Sequence, residues 1–109
     1  MTIHLHQGDL PKGIDFGASV AIDTETQGLN LHRDRLCVIQ FSAGDGDAHI
    51  VQVPVGGVYA PNIKALLEER EVVKIFHFAR FDVAVLLKHT EAEVRSVYCT
   101  KIASKLVRT

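Results

Sequence analysis

The sequence predicts an α/β fold, with a mixed five-stranded sheet (an antiparallel meander plus parallel strands) flanked by helices. Three apolar segments joined by short polar links occupy the first half of the chain, which is typical of an antiparallel meander. In the second half, strand patterns alternate with helical patterns, and this alternation favours right-handed parallel crossovers. The expected order is βββαβαβ with a final helix, preceded by a short strand at 3–6.

The meander is predicted from apolar runs at 19–24, 36–41 and 49–53. A polar segment that contains Gly28 and Asn30 joins the first two strands. Gly and Asp alternate at 44–47, which is a strong turn signal between the second and third strands.

The second half begins with a helix signal, because Pro61 suits the first helical position. Its apolar stripe is Ile63, Leu66 and Leu67, opposite charged residues at 68–70. A strand at 72–78, a helix at 81–88, a strand at 95–98 and a helix opening at Thr100 are expected to follow.

Composition favours one domain over residues 1–109 and excludes several classes of protein. The chain has 109 residues, is 47% hydrophobic and 23% charged, and carries a formal net charge of −1. That charge argues against a protein that binds long nucleic acid by neutralising its phosphates. It is compatible with a short substrate that is held through metal ions. No window has the roughly 18 apolar residues of a membrane span. We also expect no secretory signal, a cytoplasmic location and two core thiols, Cys37 and Cys99.

Two carboxylates, Asp23 and Glu25, stand one residue apart at the end of the first central strand. Alternate side chains of a strand share a face, so both acids are expected to point the same way. Like charges held this close disfavour each other unless a proton or a cation lies between them, and a divalent metal is the usual answer. The plainer alternative is a strand that ends in a polar turn.

A third acid, Asp82, is predicted in the first turn of the helix that follows the strand at 72–78. All three acids could therefore converge at the ends of their elements. A structural alternative exists here too, because an acid in the first turn stabilises a helix by roughly 0.3–1 kcal/mol. The basic segment at 32–35 has its own plain interpretation as a solvated turn.

These segments resemble a known family. The string DTETQGL at 23–29 resembles the first motif of the DEDD 3′–5′ exonucleases, the DnaQ-like branch of the ribonuclease H-like fold. The string HFARFD at 77–82 is similar to the second motif of the ribonuclease D group. Further strings at 6–11, 32–38, 74–78 and 99–106 most closely resemble the nanoRNase C family, across nearly the whole chain.

The resemblance implies a hydrolase with two Mg²⁺ or Mn²⁺ ions that shortens very short single-stranded RNA, especially diribonucleotides, to nucleoside 5′-monophosphates. By analogy Asp23 bridges both ions, Glu25 holds the ion that activates water, and Asp82 helps to hold the ion at the leaving group. Thr26 and Leu29 match positions that contact the terminal nucleotide. His77 could bind a substrate phosphate or sugar, or be a core histidine. The family form is expected to be a homo-oligomer.

One family feature lies outside the sequence. The family's third motif, Tyr-x-x-x-Asp, falls on a helix beyond residue 109, so the chain resembles the amino-terminal half to two-thirds of a member. The alternative function is therefore a catalytically inactive fragment that acts as a nucleic-acid-binding or assembly module. A ribonuclease H-type endonuclease or a nucleotide phosphatase fits the three acids but not the surrounding strings.

Overall fold

The structure is a computed structural model that describes residues 2–28, 35–56, 59–77 and 79–100. These residues form six strands and two helices. The strands are β1 (Thr2–Gln7), β2 (Ser19–Thr26), β3 (Leu36–Ser42), β4 (Asp47–Gln52), β5 (Val73–Phe76) and β6 (Val97–Cys99), and the helices are α1 (Pro61–Glu68) and α2 (Ala79–Thr90). The basic turn at 32–34, Phe78 and the helix expected beyond Thr100 lie outside the described residues.

All six strands join one sheet in the order β1-β4-β3-β2-β5-β6. The meander is confirmed, since β3 pairs antiparallel with both β2 and β4. The parallel additions are confirmed as well, with β5 beside β2 and β6 beside β5. The predicted count of five strands was wrong, because β1 pairs in parallel with β4 and becomes an edge strand of the same sheet.

The hydrophobic core lies on one face of the sheet, under both helices. Paired residues share a face, and the pairs Ile22–Phe41 and Ile39–Thr24 place the buried side chains of β2 and β3 on the same side. The largest fully buried apolar side chains are Phe41, Phe76, Leu36, Ile39, Ile63, Leu67, Leu86, Val20, Val51 and Val85. The opposite face carries Asp23 and Glu25, together with the exposed Ile3 and Leu5.

A β-bulge explains why the buried apolar residues of β3 do not alternate regularly. Leu36, Ile39 and Phe41 are all buried, although strict alternation would place Leu36 on the other face from Ile39. The pairing with β2 shifts between Glu25 and Thr26, so that Thr26 lies opposite Leu36 and Cys37 is the extra residue. The shift turns Leu36 into the core.

Helix α1 begins at Pro61, as predicted, but its cap comes from far away in sequence. Ala60, the residue at its N-cap, offers no side-chain hydrogen bond. Instead, the carboxylate of Asp9 accepts hydrogen bonds from the backbone N–H of Asn62 at 3.0 Å and of Ile63 at 2.9 Å. The loop after β1 is thereby fastened to the start of α1.

Other boundaries moved by a few residues. Strand β2 continues to Thr26 rather than ending at 24, and β5 is shorter than predicted. The 44–47 turn is confirmed, with Gly44 and Gly46 at positive φ and the Asp45 carboxylate accepting the Asp47 backbone N–H at 3.0 Å. Cys37 and Cys99 are both half-buried. In the described part of the chain, no helix has the length and apolarity needed to cross a membrane.

Candidate active site

The candidate site lies at the carboxyl end of β2, a strand inside the sheet with β3 and β5 on its two sides. Asp23 pairs with Gln40 of β3, and Glu25 pairs with Val38. Both acidic side chains are exposed, whereas Val20 and Ile22 before them are buried on the other face. The sequence prediction that Asp23 and Glu25 share a face is therefore confirmed.

Asp82 reaches the site from the first turn of α2, the helix that follows β5. Its side chain is buried, with only 6% of its surface exposed. Burial raises the pKa of Asp82 above its ordinary value, and the nearby charge of Asp23 raises it further. The two carboxylates are thus close enough to repel each other.

Two neighbours oppose these effects on Asp82. The hydroxyl of Thr24 donates a hydrogen bond from Oγ1 to Oδ1 of Asp82 at 2.5 Å. This hydrogen bond lowers the pKa of Asp82, and proximity to His77 lowers it by a smaller amount. Asp82 is therefore more than a helix-capping acid, because its side chain connects α2 with the strand that carries the other two acids.

His77 follows β5 and contacts the end of β6 rather than the core. Its Nδ1 lies 3.0 Å from Oγ1 of Thr100, and the same hydroxyl lies 3.3 Å from the carbonyl oxygen of Phe76. If the single hydroxyl proton of Thr100 goes to Phe76, His77 must donate from Nδ1. The side chain of His77 is exposed, so the interpretation as a core histidine was wrong.

The acids open onto a pocket with a volume of about 750 Å³. Its wall is formed by Asp23, Thr24, Glu25, Thr26, Gly28, His77, Phe81 and Asp82. The structure therefore brings together five of the six predicted site residues. Leu29, the sixth, lies outside the described residues.

The carboxylates of the pocket are suitable ligands for a hard cation, but the described residues offer few of them. Mg²⁺ is commonly held by one or two carboxylates, with water and substrate phosphates as further ligands. Asp23 and Asp82 provide two such carboxylates, and a cation between them would relieve the repulsion that raises the pKa of Asp82. Within the described ranges, no group of three or more His, Cys, Asp or Glu side chains is arranged to hold a metal ion.

Sequence reasoning missed two residues of this site. Thr24 was treated as the end of a strand, yet it donates to Asp82. Strand alternation was the available signal, since it places Thr24 on the face opposite Asp23. Phe81 was placed in the second motif without a role, and its ring lines the pocket beside Asp82.

Comparison with known proteins shows which family this chain is similar to. A family model described as "3'-5' exonuclease" matches residues 9–109. Ribonuclease D of Gluconacetobacter diazotrophicus is 35% identical over 68 residues, which is 62% of this chain and 17% of that protein. Escherichia coli RNase D shares the fold, with a TM-score of 0.66 at 22% identity over 80% of this chain and 23% of that one.

The similarity to Brucella melitensis NrnC is much higher. Its structure matches with a TM-score of 0.94 and 54% identity over 99% of this chain and 53% of that one. NrnC has also been solved with bound Mg²⁺ and bound to pGG. The chain therefore spans about half the length of NrnC. The predicted ribonuclease H-like fold is confirmed, and because the family model matches nearly the whole sequence, this chain belongs to the 3′–5′ exonuclease family.

Proposed function

We propose that this chain is the exonuclease domain of a metal-dependent 3′–5′ exoribonuclease that acts on very short RNA and releases nucleoside 5′-monophosphates. The observation that carries the proposal is the convergence of Asp23 from β2 and Asp82 from α2 at one pocket, close enough for Asp23 to raise the pKa of Asp82. The 54% identity with NrnC, solved with pGG, supports a diribonucleotide as substrate.

The cofactors in this proposal are two divalent cations, Mg²⁺ or Mn²⁺. Cations about 3.5–4 Å apart stabilise the attacking and the leaving oxygen of an in-line displacement. Asp23 would bridge both, Glu25 would hold the one beside the attacking water, and Asp82 would help to hold the one beside the leaving oxygen. The exposed position of Asp23 and Glu25 on one sheet face supports these roles.

The remaining pocket residues would bind the RNA. Thr26 lies on the wall beside Gly28 and donates its hydroxyl proton to the Gly28 carbonyl. Leu29 and Thr26 would contact the terminal nucleotide, and His77 would contact a phosphate or a sugar. The net charge of −1 supports a short substrate held at one end rather than a long polyanion.

Two features of the whole protein belong to this proposal. We propose that the protein acts in the cytoplasm. The family resemblance implies, in addition, a homo-oligomer. Residues 1–109 would form one exonuclease domain.

A second candidate is binding of the cation and the dinucleotide without turnover. It is favoured by the limited set of metal ligands in the described residues and by the 53% coverage of NrnC. Under this alternative, activity would rise when the rest of a family member is supplied.

The decisive experiment is hydrolysis of a 5′-labelled diribonucleotide with Mn²⁺, with products separated by chromatography. We expect Asp23→Asn and Asp82→Asn to lower the rate at least 100-fold, because each removes a charge that a cation needs while keeping nearly the same shape. Asp15→Asn, in an exposed turn where the carboxylate accepts the Gly17 backbone N–H, is the matched control and should behave as wild type. Full activity in both site variants would refute the proposal; tight binding without cleavage in the wild type would favour the second candidate.

A further inference from the structure

Thr24 occupies a particular position between the two acids of β2. Strand alternation places Asp23 and Glu25 on the open face of the sheet and Thr24 on the face that packs against α2. Val20 and Ile22 precede it on that face and are buried in the core. Thr24 is thus the point at which the buried face of β2 reaches the active site.

The partner of Thr24 is the acid of α2. Its Oγ1 donates to Oδ1 of Asp82 at 2.5 Å, and Asp82 is buried. The terminal torsion of an aspartate is broad, so a carboxylate without such a partner could rotate. Branching at Cβ restricts the rotamers of a threonine, which makes its hydroxyl a well-fixed donor.

The chemical nature of this donor is also informative. A lysine or an arginine at this position would neutralise Asp82 and compete with a cation for its charge. A neutral hydroxyl fixes one oxygen of the carboxylate and leaves the negative charge in place. The hydrogen bond therefore suits a carboxylate that has to serve a second, cationic partner.

We infer that Thr24 is a positioning residue: its hydroxyl holds Oδ1 of Asp82 so that the other carboxylate oxygen serves a divalent cation shared with Asp23. This inference rests on the proposed function, since it requires Asp82 to be a metal ligand. Partners that orient metal ligands typically contribute 10–100-fold to metal affinity.

The test is Mn²⁺ affinity without RNA, measured by electron paramagnetic resonance of free Mn²⁺ at a temperature where circular dichroism shows every variant to be folded. We expect Thr24→Val, which keeps the shape and removes the donor, to weaken Mn²⁺ binding about 10–100-fold. Thr24→Ser keeps the hydroxyl and should restore the affinity to within about threefold of wild type.

Thr90→Val is the matched control for a purely structural role. Thr90 is a buried threonine, whereas Thr24 is half-buried, and the Thr90 hydroxyl donates to the Leu86 carbonyl at 2.6 Å within α2. We expect it to lower stability and to leave Mn²⁺ affinity unchanged. Equal loss of affinity in Thr24→Val and Thr90→Val would overturn the inference, and so would wild-type affinity in Thr24→Val.

Asp82→Asn separates this inference from the proposed function. If Asp82→Asn loses affinity and Thr24→Val does not, the metal site stands and the positioning role fails. If wild type does not bind Mn²⁺, or if Asp82→Asn binds as tightly as wild type, both fail.

Discussion

At the residue scale, an imidazole cluster on β1 and β4 links protonation to stability. The His49 ring stacks on those of His4 and His6, with centroids 4.6 and 5.3 Å away, and its Nδ1 lies 3.0 Å from Nε2 of His6. Phe16 packs edge-on against the His49 ring. Burial lowers the pKa of His49, and the two other histidines lower it further, while Asp47 and Asp45 oppose them. The cluster therefore favours neutral His49.

The sign of the resulting pH effect is fixed by linkage. Because the folded pKa of His49 lies below its ordinary 6.5, the unfolded chain binds more protons between these two values. Stability is therefore lost as pH falls from about 6.5 through the lowered folded pKa. We expect the Tm of wild type, measured by circular dichroism from pH 8 to pH 5, to fall more steeply than that of His49→Phe.

Phenylalanine keeps the ring contacts of position 49 and removes the titration. His89 of α2, whose pKa is also lowered by burial, contributes in the same direction in both proteins and cancels in their difference. If the Tm of wild type and of His49→Phe changed in parallel with pH, protonation of His49 would not be what destabilises the fold.

The role of a residue could be predicted from the sequence when it depended on its neighbours in the chain, and not when it depended on a distant partner. Asp23, Glu25 and Asp82 could be identified because motif spacing and element ends place acids together. The hydroxyl of Thr24 could not be assigned, because its partner is 58 residues away and depends on where α2 packs. His49 was hidden for the same reason, since its neighbours are on a strand 43 residues earlier.

At the element scale, α1 depends on a cap that its own sequence lacks. Proline at 61 has no N–H, and the next two N–H groups, of Asn62 and Ile63, donate to the Asp9 carboxylate. Asp9 also accepts the backbone N–H of Leu10 at 2.9 Å, so one side chain fixes both the loop and the helix. Its negative charge also suits the positive end of the helix dipole.

We expect Asp9→Ala to lower the free energy of unfolding by about 0.5–2 kcal/mol, the usual cost of losing a side-chain cap. Urea denaturation at 25 °C measures this change. Asp15→Ala removes a carboxylate that accepts the Gly17 backbone N–H at 2.7 Å in an exposed turn, and should cost less than about 0.5 kcal/mol. Equal losses in both variants would show that Asp9 does not cap the helix.

Element predictions succeeded where a pattern was regular and failed where tertiary contacts decided. Pro61 marked the start of α1 correctly, and the glycines at 44 and 46 marked the hairpin. The end of β2 was misplaced because Glu25 and Thr26 read as polar turn residues, while backbone pairing with β3 continues through a bulge. Polar residues extend a strand whenever a neighbouring strand accepts their backbone hydrogen bonds.

At the scale of the whole molecule, the order of the elements was predicted from the sequence, but the strand that forms one edge of the sheet was not. Short links identified the antiparallel centre, and strand–helix alternation identified the parallel strands β5 and β6. The place of β1 could not be deduced, because each of its residues pairs with a β4 residue 45 positions later and no local pattern encodes that partner. The same limit applies to the Asp9 cap and to the imidazole cluster, which all depend on how the amino-terminal segment packs.

The position of the site within the sheet predicts how a cation affects the fold as a whole. β2 contacts β3 and β5, and α2 connects β5 to β6, so Asp23 and Asp82 belong to elements of the same folded sheet and helix arrangement. A ligand that binds only the folded chain stabilises it by about 2.7 kcal/mol at a hundred times its dissociation constant. We expect the Tm of wild type to rise with Mn²⁺ concentration and to return after chelation with EDTA.

Asp23→Asn should show little of this rise, whereas Asp15→Asn, in its exposed turn, should show all of it. The absolute Tm of Asp23→Asn without metal is expected to equal or exceed that of wild type, because the substitution removes a charge that repels Asp82. Loss of the Mn²⁺ response with a preserved or raised Tm would therefore locate the cation at the acidic pocket. If Mn²⁺ raised the Tm of Asp23→Asn as much as that of wild type, the stabilising cation would bind elsewhere in the protein and not at the acidic pocket where β2 and α2 meet.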